Sequence, residues 1–294
     1  MTQFPYFTNE PMSKHTSFKI GGPADVFAMP QNEEQLQKAL NFCKDGTFPA
    51  PAFILGNGSN LLVGDGGIRG TVISLLGLDA LSIDNEGIIH AGAGVSMKKL
   101  AEFAQSHGVA GFEFAHGIPG SVGGGVFMNA GAYEGEMSQI FHKARCMNKN
   151  GDIVEIDHSQ AHFAYRKSFA AEKGLIITSV QLRGTKGDKT EIAKNMAELH
   201  EKRNDKQPLD MPSAGSIFKR PPGHFAGKLI MDAGLRGFAI GDAQVSEKHC
   251  GFIVNKGNAT AAGVLALIAH IQAVVMEKFG IALETEVKIV GAWR

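Results

Sequence analysis

Apolar and polar positions follow two rhythms along the chain, and the switches between them mark out the elements. Short apolar runs bounded by turn residues come first: Asp25-Val-Phe-Ala-Met29, Phe53-Ile-Leu55, Thr71-Val-Ile-Ser-Leu75, Leu81-Ser-Ile-Asp84 and Ile88-Ile-His-Ala91. Runs of this length, rich in branched and aromatic side chains, read as strands. Ala144 to Met147 and Ile153 to Ile156 flank an Asn150-Gly151 pair, which predicts a hairpin, and Leu175 to Leu182 is a further strand. A slower rhythm, with Leu36, Leu40 and Phe42 after Asn32 and with Leu100 and Phe103 after Ser96, predicts helices over 33–43 and 97–107. Asn32 and Ser96 suit N-caps, and Gly46 and Gly108 suit stops. A charged helix is expected from Lys189 to about Arg203, and Pro208 to Pro212 reads as an extended linker. Beyond it lie a helix around Phe225 to Ala233, a strand at Gly251 to Val254, a long helix from Thr260 and a closing strand at Val287 to Val290.

Strands outnumber helices and do not alternate with them, so the fold expected is α+β rather than a doubly wound sheet. With 294 residues the chain suits two domains, placed at 1–190 and 191–294. Lys plus Arg equals Asp plus Glu at 29 each, which argues against a nucleic-acid or anionic-membrane surface and makes any anion handling local. Cys43, Cys146 and Cys250 are widely spaced with no Cys-x-x-Cys, so neither a zinc site nor a disulfide framework is expected. The N-terminus lacks the pattern of a secretory leader. The apolar stretch Thr260 to Phe279 is interrupted by His270, Gln272, Glu277 and Lys278 and reads as a packed helix rather than a membrane span. A soluble cytoplasmic protein, a monomer in its simplest form, is the expectation.

Candidate chemistry begins at Gly117-Ile-Pro-Gly-Ser-Val-Gly-Gly-Gly-Val-Phe-Met-Asn-Ala-Gly-Ala-Tyr-Glu-Gly-Glu136, where glycine is several times more frequent than its usual ~7 %. Such backbone turns sharply and can bring bare amides against an anion. Upstream, Phe53-Ile-Leu-Gly-Asn-Gly-Ser-Asn-Leu-Leu62 ends a strand in small polar residues and reads as the second half of a phosphate cradle. Neither stretch fits the dinucleotide Gly-x-Gly-x-x-Gly pattern. Gly223-His-Phe-Ala-Gly-Lys228 is one residue short of a nucleoside-triphosphate loop and has Leu229 after the lysine, which excludes that reading. Ser216, in Ala214-Gly-Ser-Ile-Phe-Lys-Arg-Pro221, lacks the Gly-x-Ser-x-Gly setting of a hydrolase nucleophile. Arg166, in Tyr165-Arg-Lys-Ser-Phe169, and the acids Glu284 and Glu286 complete the candidates, and the residues alone leave the two acids as alternatives.

Taken in order, these motifs resemble the UDP-N-acetylenolpyruvoylglucosamine reductase family over nearly the whole chain. The resemblance implies a vanillyl-alcohol-oxidase (PCMH-type) FAD-binding domain followed by a smaller α+β substrate-binding domain. It implies FAD on Leu55, Gly56, Asn57, Gly58, Ser59, Asn60 and Leu61 and on Gly117, Ile118, Pro119, Gly120, Ser121, Gly123, Gly124, Asn129, Ala130 and Gly131. The implied reaction is NADPH-dependent reduction of UDP-N-acetyl-3-O-(1-carboxyvinyl)glucosamine to UDP-N-acetylmuramate in peptidoglycan precursor synthesis, serving cell shape and division. NADPH reduces FAD first, NADP⁺ leaves, and the sugar follows. Ser216 matches the family's proton donor, Arg166 the arginine that meets developing negative charge, and Glu286 the catalytic glutamate. Lys206, Lys219 and Arg236 match substrate-holding positions. His249 aligns loosely with a family glutamine, and Arg220 stands where the family commonly has asparagine, which alters one polar contact to substrate. Another flavoprotein of the same fold, or a nucleotide-binding protein without catalysis, could share the glycine loops, but neither has a use for Arg166, Ser216 and Glu286 in this order.

Overall fold

The computed structural model describes residues 4–293. The chain folds into two compact units. The first comprises the N-terminal segment through Phe7, Val26–Asn57 and Gly70–Arg203. The second comprises Thr8–Asp25, Gly58–Arg69 and the chain from Asn204 onward.

In the first unit the strand Ala52–Leu55 runs parallel to Ile68–Ser74, with Leu55 opposite Ser74, and so delivers the chain to Gly56. A five-stranded antiparallel sheet has the order Ile153–Asp157, Phe141–Met147, Ile176–Leu182, Ile89–Gly92, Leu81–Ile83. Its first two strands form the expected hairpin: Met147 lies opposite Ile153, and Asn148 Oδ1 accepts from the amides of Asn150 and Asp152 at 2.8 and 3.0 Å. The helices Glu33–Asp45 and Met97–Ser106 have the caps that their sequences suggest, Asn32 Oδ1 accepting from Gln35 N and Ser96 Oγ from Lys99 N. Their buried faces, Leu36, Ala39 and Leu40 on one and Leu100, Ala101 and Ala104 on the other, join one core with Ile89, Val180 and Leu182 from the sheet.

The charged helix runs Lys189–Lys206 and stays in the first unit as far as Arg203, burying Ile192 and Met196. The domain cut expected near residue 190 therefore falls inside this helix.

The second unit carries a four-stranded antiparallel sheet in the order Ser213–Ser216, Phe252–Asn255, Ala243–Val245, Ala239–Ile240. The long helix Ala261–Phe279 has the length and apolarity of a membrane span, yet Val264, Leu267, Ile268, Ile271 and Val275 are fully buried in this unit's core. That core also takes Phe18, Ile20 and Leu62 from the N-terminal half of the chain. Leu62 arrives on the strand Leu61–Val63, which pairs in parallel with the last strand, Lys288–Val290.

Candidate functional site

In the first unit, Gly56 closes onto the glycine block. A Cβ on Gly56 would stand 2.7 Å from Ser121 Oγ, so only glycine lets the two segments meet as they do. Asn57 Nδ2 donates to Pro119 O at 3.2 Å and ties the two expected half-cradles together. Ser121 caps the helix Val122–Phe127 by accepting from Gly124 N at 3.4 Å. This helix was not expected inside so glycine-rich a stretch, because each glycine costs a helix about 1 kcal/mol relative to alanine. Close packing overrides the propensity: a Cβ on Gly123 would lie 2.7 Å from that of Ala93, and one on Gly125 would lie 2.9 Å from Met97 Sδ.

The loop is held from behind by Val122 N to Val95 O at 2.8 Å, Gly123 N to Ala93 O at 2.9 Å and Met97 N to Gly120 O at 2.9 Å. Among the described residues the amides of Asn57, Gly117 and Ser121 have no protein acceptor. Two buried nitrogens beside the loop are also unpartnered, His116 Nδ1 and Arg203 Nε. Burial pushes the His116 imidazole pKa down; Glu102, 3.6 Å from its Nε2, opposes this, and His200 and Lys98 add to it.

Asn129 is committed to the protein. Buried at a left-handed φ of 43°, it donates from Nδ2 to Ala164 O at 3.3 Å and accepts at Oδ1 from Ser138 N at 3.0 Å. Ser168 Oγ donates to Phe127 O at 2.8 Å. Between those two anchors Ala164 and Lys167 exchange backbone hydrogen bonds of 3.2 and 3.0 Å, so Tyr165 and Arg166 form the tip of a tight turn. Arg166 sits there at a φ of 57°, half-buried, its guanidinium carbon 5.0 Å from the Tyr165 ring centroid.

In the second unit, Gly58 has a φ of 63° and approaches His15 so closely that a Cβ would lie 2.0 Å from His15 O. Asn60 Nδ2 donates to Glu286 O at 3.2 Å and Lys288 N donates to Asn60 O at 3.0 Å, joining the 58–61 segment to the C-terminal acids. Glu286 N in turn donates to Ile217 O at 2.8 Å, and Phe218 bridges Thr285 in antiparallel fashion. Backbone pairing thus draws the neighbourhoods of Ser216 and Glu286 together. Ser216 ends its strand opposite Phe252 and is half-buried.

The two acids differ. Glu284 is 74 % exposed and pairs with Lys219 Nζ, whereas Glu286 is half-buried and donates its backbone N–H to Ile217 O. Lys206 and Arg236 are exposed, and Arg236 Nη2 contacts Met231 Sδ at 3.0 Å. His249 accepts at Nδ1 from Gly251 N at 3.2 Å, and burial pushes its pKa down.

Residues 24–157 match a model of an FAD binding domain, and residues 207–290 match the C-terminal domain of UDP-N-acetylenolpyruvoylglucosamine reductase. The chain is 50 % identical to the UDP-N-acetylenolpyruvoylglucosamine reductase of Caldanaerobacter subterraneus, over 97 % of this chain and 93 % of that one. It is 49 % identical to that of Agathobacter rectalis, over 99 % of this chain and 96 % of that one. The chain belongs to the UDP-N-acetylenolpyruvoylglucosamine reductase family.

The crystal structure of a family member from Thermus caldophilus superimposes with a TM-score of 0.83 at 34 % identity, covering all of both chains. The protein is therefore an FAD-dependent oxidoreductase of peptidoglycan precursor synthesis, with the expected α+β fold of an FAD-binding domain followed by the family's C-terminal domain. The residues present fit the cofactor. Unspent amides at Asn57, Gly117 and Ser121, a Cβ-free approach at Gly56 and unsatisfied nitrogens at His116 and Arg203 suit a large anionic ligand. The sequence did not single out Arg203, whose place late in a charged helix is one that many solvated arginines share.

Proposed function

We propose that this family member reduces UDP-N-acetyl-3-O-(1-carboxyvinyl)glucosamine to UDP-N-acetylmuramate in the cytoplasm, with NADPH as the electron source and Ser216 as the proton donor. The observation that carries the reading is the pairing of Ile217 and Phe218 with Glu286 and Thr285, next to Ser216. Bound FAD supplies the hydride, since no side chain can.

The remaining work belongs to the chain. Asn57, Gly117 and Ser121 offer backbone donors to the cofactor. Adding hydride to an enol ether conjugated to a carboxylate leaves an enolate-like charge on the substrate, which a fixed cation stabilises. Arg166 has that role, and the turn held by Asn129 and Ser168 fixes its backbone. Ser216 Oγ then gives its proton to the substrate carbon, helped by the basicity of the enolate. Glu286 is proposed to act on the same charge from its place beside Ile217. Glu284 takes no part, because its carboxylate is engaged by Lys219 in solvent. Lys206 and Arg236 are proposed to hold the diphosphate or carboxylate of the UDP-sugar, for which arginine's fork is well shaped. Lys219, proposed for the same task, has to exchange Glu284 for the substrate.

The test is spectroscopic. NADPH bleaches the flavin absorbance of the wild-type protein and the enolpyruvyl sugar restores it. Ser216→Ala is expected to keep the bleaching rate and to lose most of the recolouring, by ~10²-fold or more. Recolouring at the wild-type rate would overturn the proton-donor assignment.

A further inference from the structure

The loop at Gly117 is backed by a cation that the protein leaves without a counterion. Arg203 lies in the last turn of the helix Lys189–Lys206. A Cβ on Gly117 would stand 3.0 Å from Arg203 Cδ, 3.6 Å from Nη1 and 3.8 Å from Nε. The guanidinium therefore lies against the bare backbone of the loop. Its Nε is buried without a hydrogen-bond partner, and among the described residues no carboxylate forms an ion pair with it. Burial pulls its pKa down, with the Tyr133 phenol as the ionisable neighbour. One turn earlier on the same helix His200 lies 5.6 Å from the ring of His116, whose Nδ1 is the second unsatisfied nitrogen beside Gly117.

A guanidinium stays charged, and burying it unpaired costs free energy that a methionine of similar reach would not. Packing alone does not account for an arginine here. The amides of Gly117 and Ser121, also unspent, point to the same missing partner. FAD carries negative charge at two places, its diphosphate and, after reduction, its ring.

We propose that Arg203 is a cofactor ligand whose guanidinium takes its counterion from FAD held on the Gly117–Ser121 loop. This rests on the reading of that loop as part of the cofactor cradle.

The experiment compares wild type, Arg203→Met and Arg203→Lys as apoprotein and after FAD titration, reading the melting temperature, the FAD dissociation constant and the midpoint potential of the bound flavin. The apo melting temperature of Arg203→Met is expected to equal or exceed wild type, since an unpaired buried charge is removed while most of the stem is kept. If the diphosphate is the partner, oxidised FAD binds about tenfold more weakly or worse and the potential stays within about 10 mV of wild type. If the reduced ring is the partner, oxidised FAD binds within about threefold of wild type and the potential falls by about 30 mV or more, a tenfold loss for the two-electron-reduced form. Arg203→Lys recovers part of either loss. FAD affinity and potential both unchanged in Arg203→Met, or an apo protein destabilised in Arg203→Met and Arg203→Lys alike, would overturn the proposal. Gly56→Ala separates the two levels, since its Cβ would stand 2.7 Å from Ser121 Oγ and force the half-cradles apart: if it also leaves FAD affinity unchanged, the cradle is misplaced, whereas weakened binding there with an inert Arg203→Met condemns Arg203 alone.

Discussion

Single residues are constrained here mainly by backbone approach. Gly58 combines a φ of 63° with a Cβ position 2.0 Å from the carbonyl oxygen of His15, and no rotamer change can relieve a clash with backbone. Gly46 has a φ of 82° but nothing within 4 Å. Denaturant melts should therefore separate two substitutions that look alike in sequence. Gly58→Ala is expected to cost about 2–4 kcal/mol, and Gly46→Ala about 1 kcal/mol. Asn129 shows what sequence reading misses at this scale. Its position within the glycine block suggests a cofactor contact, and the structure adds that its carboxamide donates to Ala164 O and accepts from Ser138 N. Side-chain type and neighbourhood were legible, but the direction of an amide is set by chain segments far away in sequence.

Among the elements, those with a plain period could be read directly. Both capped helices of the first unit, the Asn150-Gly151 hairpin and the long helix Ala261–Phe279 occur where apolar spacing and turn chemistry put them. Two elements that carry candidate site residues were hidden. The helix Val122–Phe127 contains three consecutive glycines, and the strand Ser213–Ser216 is interrupted by Gly215 at a φ of 73°. Local propensity argues against both, and tertiary contact forms both. The backbone pairing bears on the proposed catalysis, because Glu286 N donates to Ile217 O, next to Ser216, whereas Glu284 O accepts from Lys219 N. Glu284→Gln is expected to retain turnover within about threefold and to cost less than about 1 kcal/mol of stability, as for an exposed ion pair. Glu286→Gln should lower the rate of sugar-driven flavin reoxidation by about 10²-fold. Equal losses in the two variants would mean that the assignment by strand pairing is wrong.

At the scale of the molecule, composition and element order were enough for an α+β protein of two parts, but not for how the parts share the chain. The boundary is composite, since Thr8–Asp25 and Gly58–Arg69 belong with residues from Asn204 onward. No local signal marks such an exchange, because Phe18 and Leu62 look like any other apolar residue until their partners are known. Expressed alone, residues 204–294 are expected to give no cooperative thermal transition, since they lack Phe18, Ile20 and the strand Leu61–Val63. A cooperative melt of that fragment would show the borrowed segments to be dispensable.

The same borrowing has a consequence for synthesis. During translation Phe18 and Leu62 leave the ribosome long before the strand Lys288–Val290 that completes their surroundings. The nascent chain must carry these apolar side chains unsheltered for most of its elongation, at roughly 5–20 residues per second. Their interval of exposure to chaperones and to self-association therefore lasts at least until Lys288–Val290 has left the ribosome.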